Sequence, residues 1–232
     1  MVGRLVLWDI DRTLLKAGGV TSEVFRAAFR EVTGQDAGHL PDFGGRTDHD
    51  MFTGALSAQG IAVSDALIRR FFDVFAARLR ERRHDIVARG CALPGAGAAL
   101  DAFASVPGVV QSVVTGNIRE TAYEKLSLFG LADRIDFTVG GYGCDDGVRA
   151  TLVRLAIERA SRAYGCAYAG GRVVVVGDTE HDIVGAHANG VRAVGVATGR
   201  ATSGDLKAAG ADIVLASLLD TDAVLRAVLD DS

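Results

Sequence analysis

The sequence is poor in proline, cysteine, lysine and methionine, and it contains no long apolar run. Three prolines in 232 residues, with 49% hydrophobic and 23% charged residues, exclude a disordered chain and a collagen-like repeat. The three cysteines, Cys91, Cys144 and Cys166, form no C-x-x-C pair and have no zinc-site spacing. Reduced thiols in a cytoplasmic protein are therefore the expected state. No apolar stretch reaches the roughly 18 residues of a membrane span, and Met1 to Trp8 enters a short apolar segment without the cleavage site of a secretory leader. Nor is there an excess of positive charge. A net charge of −4 argues against a nucleic-acid footprint, which needs concentrated lysine and arginine. Only three of the 25 basic residues are lysine, at positions 16, 125 and 207, so lysine-dependent chemistry has three candidates. Glycine, by contrast, is abundant at 29 residues, which points to many tight turns and close backbone approaches.

Short apolar runs recur at Leu5–Trp8, Val109–Val114, Ile135–Val139, Val173–Val176 and Val191–Val196, most of them followed by helix-period stretches. That alternation predicts a doubly wound α/β fold with a parallel sheet, and a continuous run such as Val173 to Val176 suits a strand buried on both faces. The tail predicts a last strand at Ile213–Leu215 and a helix from Asp220. One interval breaks the rhythm: about a hundred residues separate the first strand from the second, where a crossover needs a dozen or more. Within it Val24, Phe25, Ala28, Phe29 and Val32 share a helical face, as do Leu67, Phe71, Val74, Phe75 and Leu79, with a shorter helix around Met51, Phe52 and Leu56. Residues 18–90 are expected to form an inserted helical domain, and 1–17 with 91–232 the α/β core. The charge run Arg78 to Arg83 reads as a solvated helix face.

The first strand ends in Trp8-Asp9-Ile10-Asp11-Arg12-Thr13. Alternate residues of an extended chain point the same way, so Asp9 and Asp11 project together from the carboxyl end of the sheet, where open α/β sheets bind ligands. Two extended residues span about 6.6 Å, too far for a shared proton but suited to flanking a reacting group. The strand at Val173 ends in Gly177-Asp178-Thr179-Glu180-His181-Asp182. Each segment alone also reads as a polar turn or an N-cap. Together they change the reading, because two unit charges 4 Å apart repel by about 4 kcal/mol at an effective dielectric of about 20. Clustered carboxylates therefore need a cation or shifted pKa values, and oxygen-only donors without a nearby cysteine point to Mg²⁺. At the end of the second strand, Thr115-Gly116-Asn117 offers a hydroxyl, a close-approach glycine and the start of a helix, the makings of an anion site.

In this order, D-x-D-x-T at Asp9 to Thr13, the hydroxyl of Thr115 and G-D-x-x-x-D at Gly177 to Asp182 resemble the haloacid dehalogenase-like (HAD) hydrolase superfamily, over nearly the whole chain. The resemblance implies a Rossmann-like core with a helical cap. It makes Asp9 the nucleophile and Asp11 the general acid/base. It also implies phosphate binding at Thr115, Gly116 and Asn117, and Mg²⁺ held by Asp9, Asp178 and the main chain of Asp11, with Asp182 in support. Gly44-Gly45-Arg46-Thr47-Asp48 resembles the G-R-T-D cap segment of phosphoglycolate-phosphatase-like members, which makes Arg46, Thr47 and Asp48 substrate-facing lid residues. Two departures stand out. Arg12 follows the second Asp where such phosphatases often carry Gly, and no lysine lies between 125 and 207 to serve as the third motif, a role that falls to Arg149 or, second, to Lys125.

The reading is a Mg²⁺-dependent phosphatase acting on a small phosphorylated metabolite through an aspartyl-phosphate on Asp9. A phosphomutase or dehalogenase of the same superfamily and a non-catalytic phosphoryl-binding protein are the alternatives. Neither nucleic acid nor membrane is an expected partner, and monomer and homodimer both stay open.

Overall fold

The computed structural model describes residues 3–41 and 43–230. Strand β1 (Arg4–Trp8) is followed by β2 (Leu15–Lys16), and then by helices α1 (Val20–Thr33), α2 (Asp48–Ala58), α3 (Asp65–Glu81) and α4 (Arg83–Arg89). Strand β3 (Cys91–Ala92) returns antiparallel to β2, so a two-stranded ribbon carries the chain into and out of the helical insertion. The core continues through α5 (Ala96–Ala104), β4 (Val109–Thr115), α6 (Arg119–Leu128), β5 (Gly141–Tyr142), α7 (Arg149–Tyr164), β6 (Val173–Gly177) and α8 (Glu180–His187). It closes with β7 (Arg192–Val196), α9 (Ser203–Ala208), β8 (Ile213–Leu215) and α10 (Thr221–Leu229).

Six strands form one parallel sheet in the order β5-β4-β1-β6-β7-β8. The chain winds outward from β1 in one direction through β4 and β5 and then in the other from β6, so the strand order reverses between β1 and β6. That is where an open α/β sheet leaves a crevice beyond its carboxyl ends. The period of two is visible in the packing. Leu5, Leu7, Val173 and Val175 enter a core with α7 and α8, whereas Val6, Trp8, Val174 and Val176 enter the opposite one with α5 and α10. Both faces are covered, which is why these strands read as continuous apolar runs. Polar groups at depth in this sheet are paired: Trp8 Nε1 donates to Gln111 Oε1 at 3.1 Å, and the Gln111 amide donates to Leu100 O at 2.9 Å.

The helical insertion has its own apolar centre, built on phenylalanine: Phe25, Phe29, Phe52, Phe71 and Phe75 are buried, and the rings of Phe52 and Phe71 stack 3.9 Å apart. The run around Arg78 lies at the surface but is paired. Arg78 binds Glu31 of α1 at 2.7 Å, Arg82 binds Glu23 at 3.0 Å, and Arg89 also reaches Glu23. Such exposed pairs each contribute at most about 1 kcal/mol; they align α1 with α3 and α4.

One strand expectation is overturned. Residues 135–139 form a bend, and the third core strand is the two-residue β5 further on. Asp136 is the cause: its carboxylate accepts from the backbone N–H and the hydroxyl of Thr138, at 2.8 and 2.6 Å, and turns the chain after a single backbone bond to Gln111 O. A local side-chain bond thus outcompetes the ladder. No helix among the described residues is long and apolar enough to cross a membrane.

Candidate active site

The ends of β1 and β6 lie side by side, and they bring Asp9 and Asp178 together. A carboxylate oxygen each from Asp9, Asp178 and Asp182 falls within 4.8 Å of the others, and all three residues are buried. Asp182 stands on the first turn of α8, where one oxygen accepts from the N–H and hydroxyl of Thr179 at 3.2 and 2.8 Å. The opposite oxygen, Oδ1, and Oδ2 of Asp178 are buried without any hydrogen-bond partner. Thr13 donates to the other Asp178 oxygen at 3.3 Å. Gly199 is required next to this cluster, since a Cβ there would lie 1.7 Å from Asp178 Oδ2. Burial, then the charge of Asp182, pushes Asp9 well above the usual carboxylate range, with Arg149 pulling the other way. The same two causes push Asp178 up to about 7. Three buried carboxylates facing one another, with two oxygens that receive no hydrogen bond, fit a hard divalent cation such as Mg²⁺.

Arg149 opens α7 and is buried against this cluster. Its guanidinium donates to Val114 O at 2.9 Å and to Asp9 Oδ1 at 3.4 Å, and its Nε lies 3.5 Å from Asp182 Oδ1. Its other terminal nitrogen donates to Gly45 O of the insertion at 3.4 Å. Of the two cations weighed for the third motif, Arg149 is the one beside Asp9.

Lys125 sits elsewhere. From α6 its ammonium donates to Asp11 Oδ2 and Oδ1 at 2.7 and 3.0 Å and to Asn117 Oδ1 at 2.6 Å. Asn117 in turn donates to Asp11 Oδ2 and to Thr115 Oγ1, both at 2.8 Å. The Asp11 carboxylate therefore lies apart from the Asp9–Asp178–Asp182 cluster. Burial alone raises its pKa, but the charge and hydrogen bond of Lys125, with the bond from Asn117, outweigh that and leave it lowered.

Residues 44–48 dock directly on the core. Asp48 N–H donates to Gly116 O at 2.7 Å, and its carboxylate accepts from Ile118 N–H at 2.9 Å. Thr47 donates to Gly147 O at 3.3 Å. Gly116 makes this possible, because a Cβ there would lie 2.0 Å from Arg46 O; its bareness admits the backbone of the insertion. Asp48 is buried, and desolvation pushes its carboxyl up to about 7. Arg46 lines the cavity but pairs with Asp50 at 2.6 Å. Arg12, where a glycine is usual in the resembling phosphatases, adopts the glycine-like φ of 66°.

A half-open cavity of about 410 Å³ has Asp9, Asp11, Thr115, Asn117, Arg149 and Asp178 on the core side. Its other wall includes Lys16, Thr21 and Arg46. Sequence reasoning named Lys16 only as one of three candidate lysines, without placing it at this site, and missed Thr21. Lysine scarcity and the Gly18-Gly19 pair before α1 were the available signals.

A family model described as HAD-hydrolase-like matches residues 149–221, which include Arg149, Asp178 and Asp182. That match spans about a third of the chain and makes this part of it similar to HAD-like hydrolases. Three solved structures share this fold over nearly their full length. A predicted phosphatase from Clostridium acetobutylicum is 19% identical with TM-score 0.68, covering 97% of this chain and 100% of its own. A predicted phosphoglycolate phosphatase from Haemophilus somnus is 18% identical with TM-score 0.63, covering 96% and 97%. A protein assigned as a β-phosphoglucomutase from Thermotoga maritima is 18% identical with TM-score 0.61, covering 97% and 100%. No curated protein matches the sequence significantly.

Proposed function

We propose that this HAD-like hydrolase is a Mg²⁺-dependent phosphatase of a small phosphorylated metabolite, with residues 18–90 as its cap. The observation that carries the reading is the buried Asp9 beside Arg149 and beside the Asp178 and Asp182 oxygens that receive no hydrogen bond. Asp9, Asp178 and the main chain of Asp11 would hold the ion, with Asp182 in support; bound there, Mg²⁺ supplies charge neutralisation at the phosphoryl oxygens.

The remaining chemistry belongs to the chain. One Asp9 oxygen attacks phosphorus as the ester P–O bond breaks, and Arg149 with the Thr115 hydroxyl, itself held by the Asn117 amide, meets the charge on the phosphoryl oxygens. The phosphoryl dianion beside Asp11 raises that carboxyl's proton affinity, and Asp11 passes its proton to the departing alkoxide. Asp11 then takes a proton from water as the water attacks phosphorus, which frees Asp9 and inorganic phosphate. Residues 44–48 close over the reacting groups and exclude solvent. Lys16, Thr21 and Arg46 face the part of the substrate that does not react.

The test is phosphate release from p-nitrophenyl phosphate and a metabolite panel that includes 2-phosphoglycolate, with and without Mg²⁺. Release should need Mg²⁺ and vanish in Asp9→Asn; full activity of that variant sinks the assignment. An isomerised phosphate ester in place of free phosphate would mark a mutase.

A further inference from the structure

Lys125 is the one fully buried lysine, with no exposed surface at all. Burying an ammonium costs several kcal/mol unless its partners compensate, and a methionine would fill the same space without that cost. Where its hydrogen bonds go is therefore informative. Three bonds run to Asp11 Oδ1, Asp11 Oδ2 and Asn117 Oδ1. Asn117 is itself turned by this contact, so that its amide donates to Asp11 Oδ2 and Thr115 Oγ1. The Asp11 carboxylate thus receives three hydrogen bonds from two side chains, while 42% of its surface stays open, towards the cavity. Asp9, two residues away, takes a different cation, Arg149 at 3.4 Å.

We propose that Lys125, acting with Asn117, is a positioning residue that fixes the Asp11 carboxylate in the orientation from which it exchanges a proton with the leaving oxygen. The inference rests on the phosphatase reading above. A clamp on both oxygens removes the rotation that an aspartate at a strand end would otherwise have, and a general acid is effective only when held at hydrogen-bond distance from its target. The same helix that carries Lys125 begins at the Ile118 N–H on which Asp48 docks. The lid and the clamp consequently share α6.

The experiment compares Lys125→Met with wild type on phenyl phosphate and p-nitrophenyl phosphate. The two esters are nearly equal in shape, but the unactivated phenolate needs protonation as it leaves and the nitro-activated one needs little. Because general acid catalysis contributes about 10²–10⁴-fold, kcat on phenyl phosphate should fall at least about tenfold more than on p-nitrophenyl phosphate, with KM for both within about threefold. Adding Lys125→Met to Asp11→Asn should cost nothing further. Should Lys125→Met fail to fold, Lys125→Met/Asp48→Asn removes the second carboxylate near the vacated site, and Asn117→Ala removes the other arm of the clamp; each should show the same leaving-group bias. Equal losses on the two esters, or a further loss in the Asp11→Asn background, overturn the role of Lys125 while the phosphatase reading stands. A wild-type protein without Mg²⁺-dependent release from either ester overturns both.

Discussion

Stripped of divalent metal, the protein should lose stability as the pH rises from about 5 to about 8. Asp178 is raised from 3.8 to about 7 in the fold, by burial first and by the neighbouring Asp182 second. A carboxyl whose folded pKa is raised contributes its stability in full below the unfolded value and loses it as the pH climbs through the folded one. Between those limits the folded protein holds a proton that the unfolded chain has already released, at about 1.4 kcal/mol per pH unit. Over the two units from about pH 5 to about pH 7, Asp178 alone accounts for about 3 kcal/mol. Asp9 and Asp48 are raised as well and act in the same direction. The lowered carboxyls, such as Asp11, Asp136 and Asp212, finish titrating below this window.

Urea denaturation at several pH values in EDTA reads this slope directly. Asp178→Asn has no proton to exchange, so its profile should be flatter than wild type, by up to about 3 kcal/mol between the ends of the window. Mg²⁺ at a hundred times its Kd should return about 2.7 kcal/mol to wild type at about pH 8, and much less to Asp178→Asn. A wild-type profile that is flat or rises with pH in EDTA, or profiles that run parallel for the two proteins, would refute the account of this cluster.

Three further outcomes follow from contacts already described. Gly116→Ala places a methyl 2.0 Å from Arg46 O and should displace residues 44–48, lowering kcat/KM at least about tenfold while stability falls by only about 1–2 kcal/mol; steady-state kinetics beside a melting curve separate the two. Arg12 has φ 66°, so Arg12→Gly should leave stability within about 1 kcal/mol of wild type, whereas Arg12→Val, β-branched in a left-handed turn, should lose more than that, as urea midpoints will show. Asp48→Asn keeps the acceptor for Ile118 N–H and removes a buried carboxyl raised to about 7; its Tm relative to wild type should climb between about pH 5 and about pH 8, and a constant difference would count against that burial cost.

Most of the core was legible because its strands obey one rule. Leu5 to Trp8 and Val173 to Val176 are apolar at every position, since helices cover both faces of the sheet, and the carboxylates that follow them stand out against those runs. The third strand was not legible, because Asp136 bends an apolar run that looks extended and leaves Gly141–Tyr142, two residues without any pattern, to pair with β4. Arg149 could be named from its place at the start of a helix. Its bonds to Asp9 Oδ1 and Gly45 O could not, since they join segments more than a hundred positions apart. The pairing of Lys125 with Asp11 was hidden for the same reason: an amphipathic helix gives no sign of which buried position carries a charge until the sheet places a carboxylate opposite it.

These long-range pairs explain how two aspartates separated by one residue come to hold different environments. Alternation along an extended chain would send both side chains to one side and make them equivalent. The strand order separates them. On one side β6 supplies Asp178, and α8 supplies Asp182, both of which raise the proton affinity of Asp9. On the other, β4 runs into Thr115 and Asn117, and the helix after it supplies Lys125, which lowers that of Asp11. In the chain alone these directions are the reverse of what an ionised nucleophile and a protonated acid need; a cation beside Asp9 would lower its proton affinity and a phosphoryl dianion beside Asp11 would raise that of Asp11, and the division is made at the point where the sheet reverses its winding. The insertion then binds to both halves: Gly45 O meets Arg149 on the Asp9 side, and Asp48 meets the start of α6 on the Asp11 side. Displacing residues 45–48 would therefore break contacts to the supporting elements of both carboxylates.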